Sequence, residues 1–213
     1  MLCAPIGAIE ASFAAIAPHL RAGAIVTDVA GTKAPVIAAA AALGASVSFV
    51  GAHPMFGGEA GGFPASRSDL WRGGVVAVCT DGAPQHAIDR VVALHRALGA
   101  EVVLCTADEH DAAVAAISHL PFLVSSAIAL AARDNGPLAR KLAGRGFEDT
   151  TRLAGFRYEV QGEVSRQNAH LSEARARFLE ALDALSKGLA AGPEAAAKVF
   201  DEARAAREAR RKA

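Results

Sequence analysis

Five short apolar runs constrain the architecture most. Leu2–Pro5, Ala24–Val29, Val47–Val50, Val75–Cys79 and Glu101–Cys105 are almost continuously apolar, the pattern of strands covered on both faces of a parallel sheet. Between them, Ala8–Leu20, Pro35–Leu43 and Pro84–Leu98 read as helices, two of them with proline near the first turn. Strand, helix, strand, helix is the order of βαβ units. Beyond residue 106 no segment reads convincingly as a strand. Thr106-Ala-Asp-Glu109 forms a capping-box pattern opening a helix to about Arg133, which Pro121 is expected to kink or divide. A longer helix is expected from about Gly155 to Ala190. In it Val164, Leu171, Phe178 and Leu185 recur every seven residues, with Leu182 and Leu189 in the companion seam that Asn168 and Arg175 occupy earlier. Gly192-Pro193 ends it, and a charged helix from Glu194 runs into the solvated end Arg210-Arg211-Lys212. Such a seam needs a bundle, and a dimer interface would supply one.

Charge divides the chain at the same place. Residues 1–106 carry 13 charged side chains and residues 107–213 carry 31, so a domain boundary is expected near residue 106. Lys+Arg 22 against Asp+Glu 22 leaves no net charge, which argues against nucleic acid bound through a basic field. At 52% hydrophobic and 21% charged residues the chain should fold rather than stay disordered. No apolar run in the sequence approaches the roughly 20 residues that span a bilayer, and the start lacks the basic segment of a signal peptide. The odd cysteines Cys3, Cys79 and Cys105 suit reduced thiols better than a disulfide framework. A soluble cytoplasmic α/β or α protein, with no nucleic acid and no membrane among its partners, is the expectation.

Four places carry residues suited to chemistry. His53-Pro-Met-Phe-Gly-Gly-Glu-Ala-Gly-Gly62 follows the run Val47–Val50 directly. Ligand crevices of open α/β sheets lie beyond the carboxyl ends of strands. His53 is therefore well placed for a site, with Glu59 near enough to tune it; a flexible loop with an exposed histidine is the plain alternative. Asp28-Val-Ala-Gly-Thr-Lys33 ends another run, and its Thr32 would approach His53 only if the two strands are neighbours. Ser118-His119-Leu-Pro121 sets a histidine beside the expected kink, where a buried structural role competes with a functional one. Asp149-Thr-Thr-Arg152 offers a guanidinium that can grip a carboxylate or simply pair with Asp149. The sequence has no Gly-x-Ser-x-Gly elbow, Walker loop, Cys-x-x-Cys or His-Glu-x-x-His. Glu109-His110-Asp111 spreads its side chains around a helix, so no metal site is expected there.

Taken in order, Asp28-Val-Ala-Gly-Thr-Lys33, Phe49-Val-Gly-Ala-His-Pro-Met55 with Glu59, Ser118-His-Leu-Pro121 and Asp149-Thr-Thr-Arg152 resemble the successive motifs of the prephenate and arogenate dehydrogenase family. The resemblance extends from Leu2 through Asn168. It implies an α/β remnant of a Rossmann-like parallel sheet (1–106) followed by an all-α substrate-binding and dimerisation domain (107–213). It also implies oxidative decarboxylation of prephenate to 4-hydroxyphenylpyruvate with NAD or NADP, a step of tyrosine biosynthesis, in a homodimer acting on prephenate or arogenate. By similarity His53 is the catalytic histidine. Thr32 stands where a family serine touches both that histidine and the nicotinamide side of the cofactor. Arg152 matches the arginine that holds a substrate carboxylate, and His119 and Glu59 match polar residues near the substrate.

The sequence departs from the family pattern at Phe122, where a second histidine is usual, at Gln161, where tryptophan is usual, and at Ala30 and Ala52. It contains no Gly-x-Gly-x-x-Gly, and Met1–Ile6 resembles the fourth strand of the family's dinucleotide domain. The expectation is a chain shortened at its start, with no cradle for the pyrophosphate. A cofactor-free enzyme, or a non-catalytic binding module for prephenate-like diacids, is the alternative.

Overall fold

A computed structural model describes residues 1–58, 63–133 and 135–210. They fall into two compact units, Met1–Leu171 and Ser172–Ala213.

In the first unit α1 (Ile9–Ile16) leads to β1 (Ile25–Thr27), α2 (Ala34–Ala39), β2 (Ser48–Val50), β3 (Ala52–Pro54), β4 (Val75–Cys79), α3 (Gln85–Ala97) and β5 (Glu101–Cys105). β1 and β2 are parallel neighbours, as are β4 and β5. The expected run Leu2–Pro5 is reduced to one parallel bridge, Leu2 to Asp28. The strands form two sheets, β1-β2 and β3-β4-β5, and the second is not purely parallel. After Gly51 the chain leaves β1 and β3 pairs antiparallel with β4, His53 standing opposite Ala77. Gly51 makes this change of partner possible in a crowded place: a Cβ there would already touch Lys33 Cδ at 3.4 Å and Cys79 Cβ at 3.6 Å.

Two apolar clusters hold this part. One joins Ile6, Ile9, Phe13, Val26, Val36 and Leu43, the other Val50, Val76, Val78, Ile88 and Val91. Val164 belongs to the first, so a residue from late in the chain is packed into the core beside β1.

The helical part begins at α4 (Ala107–Val114), capped as expected: Thr106 Oγ1 accepts from Glu109 N–H at 3.2 Å, and the Glu109 carboxylate accepts from Thr106 N–H at 2.8 Å. Pro121 does not divide the helical rod. Ala115–His119 form one π-helical turn and α5 (Leu120–Arg133) continues beyond it. Proline has no N–H for the ordinary i→i−4 bond and its ring crowds that carbonyl; the wider turn absorbs both. Contrary to the expectation from the sequence, Ala107–Arg133 is long and apolar enough, by length and composition alone, to cross a bilayer. α6 (Gly136–Leu142) and α7 (Arg145–Thr151) come next.

The single helix expected from Gly155 to Ala190 is broken. Arg152–Gly155 is a 3-10 turn, Tyr158–Gly162 a π-helical turn, α8 is only Glu163–Gln167, and α9 (Leu171–Ala191) starts after a gap. Asn168 makes the gap. Its backbone is extended (φ −86, ψ 111), its amide nitrogen donates to Asp111 O at 2.8 Å, and its amide oxygen accepts from His170 N–H at 2.9 Å. These tertiary bonds outweigh the modest gain of one more helical turn, so Val164 serves the core and not a seven-residue seam.

In the second unit α9 and α10 (Pro193–Arg210) meet through Gly192, whose φ of 117 ends α9 as expected. Gly188 lets α10 come close: a Cβ there would lie 2.7 Å from Val199 Cγ2.

Candidate functional site

The loop after β1 and the strand β3 are bound together by a buried ion pair. Asp28 and Lys33 are both inaccessible to solvent, and their side chains pair directly. Lys33 Nζ donates to Ala52 O at 2.8 Å, while Asp28 accepts from Ala52 N–H at 3.0 Å and from Ala30 N–H at 2.9 Å. The peptide groups flanking Ala52 are thus held from both sides, one residue before His53.

The His53 ring is held in turn by the helical part. His53 Nδ1 lies 2.9 Å from His110 Nε2, and His110 Nδ1 lies 2.7 Å from Asp111 Oδ1. Asp111 also accepts from the N–H groups of Lys33 (2.7 Å) and Ala34 (2.9 Å) at the start of α2. Burial pushes the Asp111 carboxyl up, but its bonds from His110 and from these two backbone groups outweigh that and hold it below the ordinary carboxylate value. His119 is likewise buried, with Nδ1 3.0 Å from Asn168 Nδ2.

His53 and His119 border a cavity of about 740 Å³, within the range of small-molecule sites. One wall comes from Ala4–Ile6, Val29–Gly31 and His53–Gly58, the other from Ser118, His119, Phe156, Arg157, Glu159–Gln161 and Val164. Gly74 lets Phe56 lie in its wall, since a Cβ there would fall 2.4 Å from the Phe56 ring.

Burial drives the His53 pKa down to about 3; its surroundings of His110, Lys33 and His119 push the same way and Asp111 opposes it. Burial likewise takes His119 down to about 4, against the pull of Asp111 and with that of His110. Both imidazoles are therefore neutral at physiological pH. Outside the cavity, His95 is buried against Trp71, its ring stacked at 5.3 Å with neither nitrogen hydrogen-bonded among the described residues, and burial lowers its pKa too. A histidine held below its ordinary 6.5 takes up a proton more readily in the unfolded chain. The stability it confers is therefore whole above about pH 6.5 and drains away as pH falls toward 4 and then 3. We expect unfolding in urea at pH 4.5 to show a loss of roughly 2–3 kcal/mol for each of His53 and His119 relative to pH 7.5. His95→Leu should make the pH dependence shallower; an equal slope in that variant would contradict the role given to His95.

The expected site residues are brought together unevenly. β1 and β2 are neighbours, so the Thr32 and His53 turns do meet. In the turn after β1 it is Gly31 that lies close to the ring, however, where a Cβ would lie 3.7 Å from His53 Cε1. Thr32 is fully buried, donates its hydroxyl to Val164 O at 2.9 Å and does not line the cavity. Its bond ties the turn after β1 to α8. Arg152 is exposed in the turn after α7 and does not line the cavity either. The guanidinium that does is Arg157, paired with Glu159 at 3.4 Å. Glu59 lies outside the described residues, as do Arg211 and Lys212. Among the described residues no group of three or more His, Cys, Asp or Glu could hold a metal ion. Sequence reasoning misses His110, Asp111 and Asn168. The signal available is a His-Asp pair in the first turns of an otherwise apolar helix.

Comparison with known proteins agrees with this architecture. The family model described as "Prephenate dehydrogenase, nucleotide-binding domain" matches residues 1–104, and "Prephenate dehydrogenase, dimerization domain" matches residues 106–199. The prephenate dehydrogenase of Lactococcus lactis is 29% identical over 140 residues, 63% of this chain and 38% of that protein. The arogenate dehydrogenase of Synechocystis has 30% identity and a TM-score of 0.84, over 97% of this chain and 77% of that one. The prephenate dehydrogenase of Aquifex aeolicus, in complex with hydroxyphenyl propionate and NAD+, shares the fold with a TM-score of 0.88 at 23% identity, over 100% of this chain and 75% of that one. Matches to three curated relatives cover 36% to 59% of those proteins' length. A Rossmann-like α/β part followed by a helical part, and both family models in order along its length, place this chain in the prephenate dehydrogenase family.

Proposed function

We propose that the site serves the oxidative decarboxylation of prephenate, or of its amino counterpart arogenate, with a nicotinamide dinucleotide. One observation carries the reading: a neutral imidazole, His53, faces a cavity of about 740 Å³ lined by residues of both the α/β and the helical parts.

His53 accepts a hydrogen bond from the ring carbinol hydroxyl through Nε2 and draws on its proton as hydride departs from the same carbon. Loss of the ring carboxylate as CO₂ returns its electron pair to the ring, which becomes a phenol. NAD(P)+, when bound, supplies the hydride acceptor. The residues present fit its nicotinamide end: Ala4–Ile6 and Val29–Gly31 give the cavity an apolar stretch of lining. Among the described residues there is no glycine-rich turn for the pyrophosphate. Arg157 meets a substrate carboxylate in the wall, with Arg152 one turn upstream in the same segment. His119 donates a hydrogen bond to the substrate, and Thr32 fixes the turn that carries Gly31. Glu59, in the same loop as His53, belongs to this set by the family pattern.

We place the protein in the cytoplasm, as a homodimer, in tyrosine biosynthesis. The apolar rod Ala107–Arg133 supports this reading better than it supports a membrane span, because its His119 lines the cavity and its His110, held by Asp111, contacts the His53 ring. Its exposed Ile117, Leu123 and Leu130, with Leu138 and Leu142 beyond, suit a second copy.

The test is to follow prephenate and arogenate with NAD+, with NADP+ and with neither. The expected result is nicotinamide reduction with stoichiometric loss of CO₂. Disappearance of prephenate at the same rate without nicotinamide would favour a cofactor-free reaction, and binding without turnover a binding module.

A further inference from the structure

The cavity holds two neutral imidazoles whose inner nitrogens are already engaged, and the partners decide which nitrogen keeps the proton. The Asn168 amide is oriented by His170 N–H, which requires its oxygen, so its nitrogen faces Asp111 O and His119 Nδ1. An amide nitrogen only donates. His119 Nδ1 is therefore an acceptor, and the His119 proton sits on Nε2.

The other chain of bonds runs the opposite way. The Asp111 carboxylate, which only accepts, fixes a proton on His110 Nδ1. A singly protonated His110 then has a bare Nε2, and His53 must donate to it through Nδ1–H. Among the described residues nothing bonds His53 Nε2. We propose that His110 and Asp111 are positioning residues that hold His53 as its Nδ1–H tautomer, so that the cavity presents an acceptor at His53 Nε2 and a donor at His119 Nε2–H. Free imidazole side chains prefer the Nε2–H form, so His53 departs from its intrinsic preference only because His110 is there. The pairing selects a ligand with a hydroxyl that donates at one end and an oxygen that accepts at the other. It explains how a general base stays aimed without a carboxylate of its own.

This inference rests on the proposed function for its meaning but not for its test. Long-range proton–nitrogen correlation spectra of the chain labelled with ¹⁵N-histidine, at neutral pH, report each tautomer directly. The expected result is Nδ1–H as the major form of His53 and Nε2–H as that of His119. In His110→Phe, the Nδ1–H form of His53 should be lost as the major species. His110→Gln, whose amide oxygen can still accept, should retain it. If His110→Phe fails to fold, the unsubstituted chain still decides. Nε2–H on His53, or a doubly protonated His110 at neutral pH, would overturn the proposal. Where turnover is measurable, His110→Phe should lower kcat with KM little changed. The expected tautomers with no turnover on any nicotinamide pair would sink the functional reading alone; turnover with His53 in the Nε2–H form would sink this one alone.

Discussion

His53→Asn is expected to cut turnover of prephenate by roughly 10²–10⁴-fold, the range that a positioned general base contributes. Asparagine keeps a polar side chain of similar reach. Its amide can bond His110, so the local network survives, but it cannot take up a proton. Substrate affinity should therefore change far less than kcat, because the carboxylate contact is proposed for Arg157, elsewhere in the cavity lining. The measurement is a pair of steady-state curves with a direct binding titration beside them. Turnover within a few-fold of the unsubstituted chain would remove His53 from the chemistry and leave the cavity without a base at that wall.

The second large effect is structural. Lys33→Met should destabilise the chain by about 3–5 kcal/mol, the usual consequence of leaving one member of a buried ion pair alone. Asp28 would keep its bonds from Ala30 N–H and Ala52 N–H, yet its charge would have no counter-ion, since both side chains are sealed from solvent. Ala52 O would also lose its donor. Asp28→Asn combined with Lys33→Met should recover much of the loss, because no charge then stays buried. Equilibrium urea unfolding of the two single variants and the double variant measures both the penalty and the coupling. Additive losses would show that the pair does not act as a clamp.

Much of the fold can be read from local chemistry. β4 and β5 coincide with their apolar runs to the residue, and the Thr106 cap and the Gly192 stop lie where short-range hydrogen bonding and φ > 0 demand them. β3 escapes notice because a three-residue strand holding a histidine and a proline has no alternation to detect; its partner, β4, defines it. The Gly155–Ala190 helix fails for a related reason. A seven-residue repeat records side-chain polarity, not the long-range bonds by which Asn168 leaves the helix for Asp111 and His119. His53 and His119 are visible at the site because their positions beside a strand end and a proline are unusual. His110 and Asp111 escape because, counted on a uniform helix, they look unsuited to bind anything together. They bind each other instead, and His53 beyond them.

The π-helical turn at Ala115–His119 has a geometric consequence for where these side chains face. Each residue of an α-helix advances the phase by about 100°, so positions nine apart, such as 110 and 119, would be about 180° out of phase and point away from each other. A π-turn acts as one inserted residue, which brings the separation to about 80°. Both imidazoles then share one quadrant. Wound as a regular α-helix throughout, the same nine steps would give a straighter rod and would rotate one of the two imidazoles away from the other.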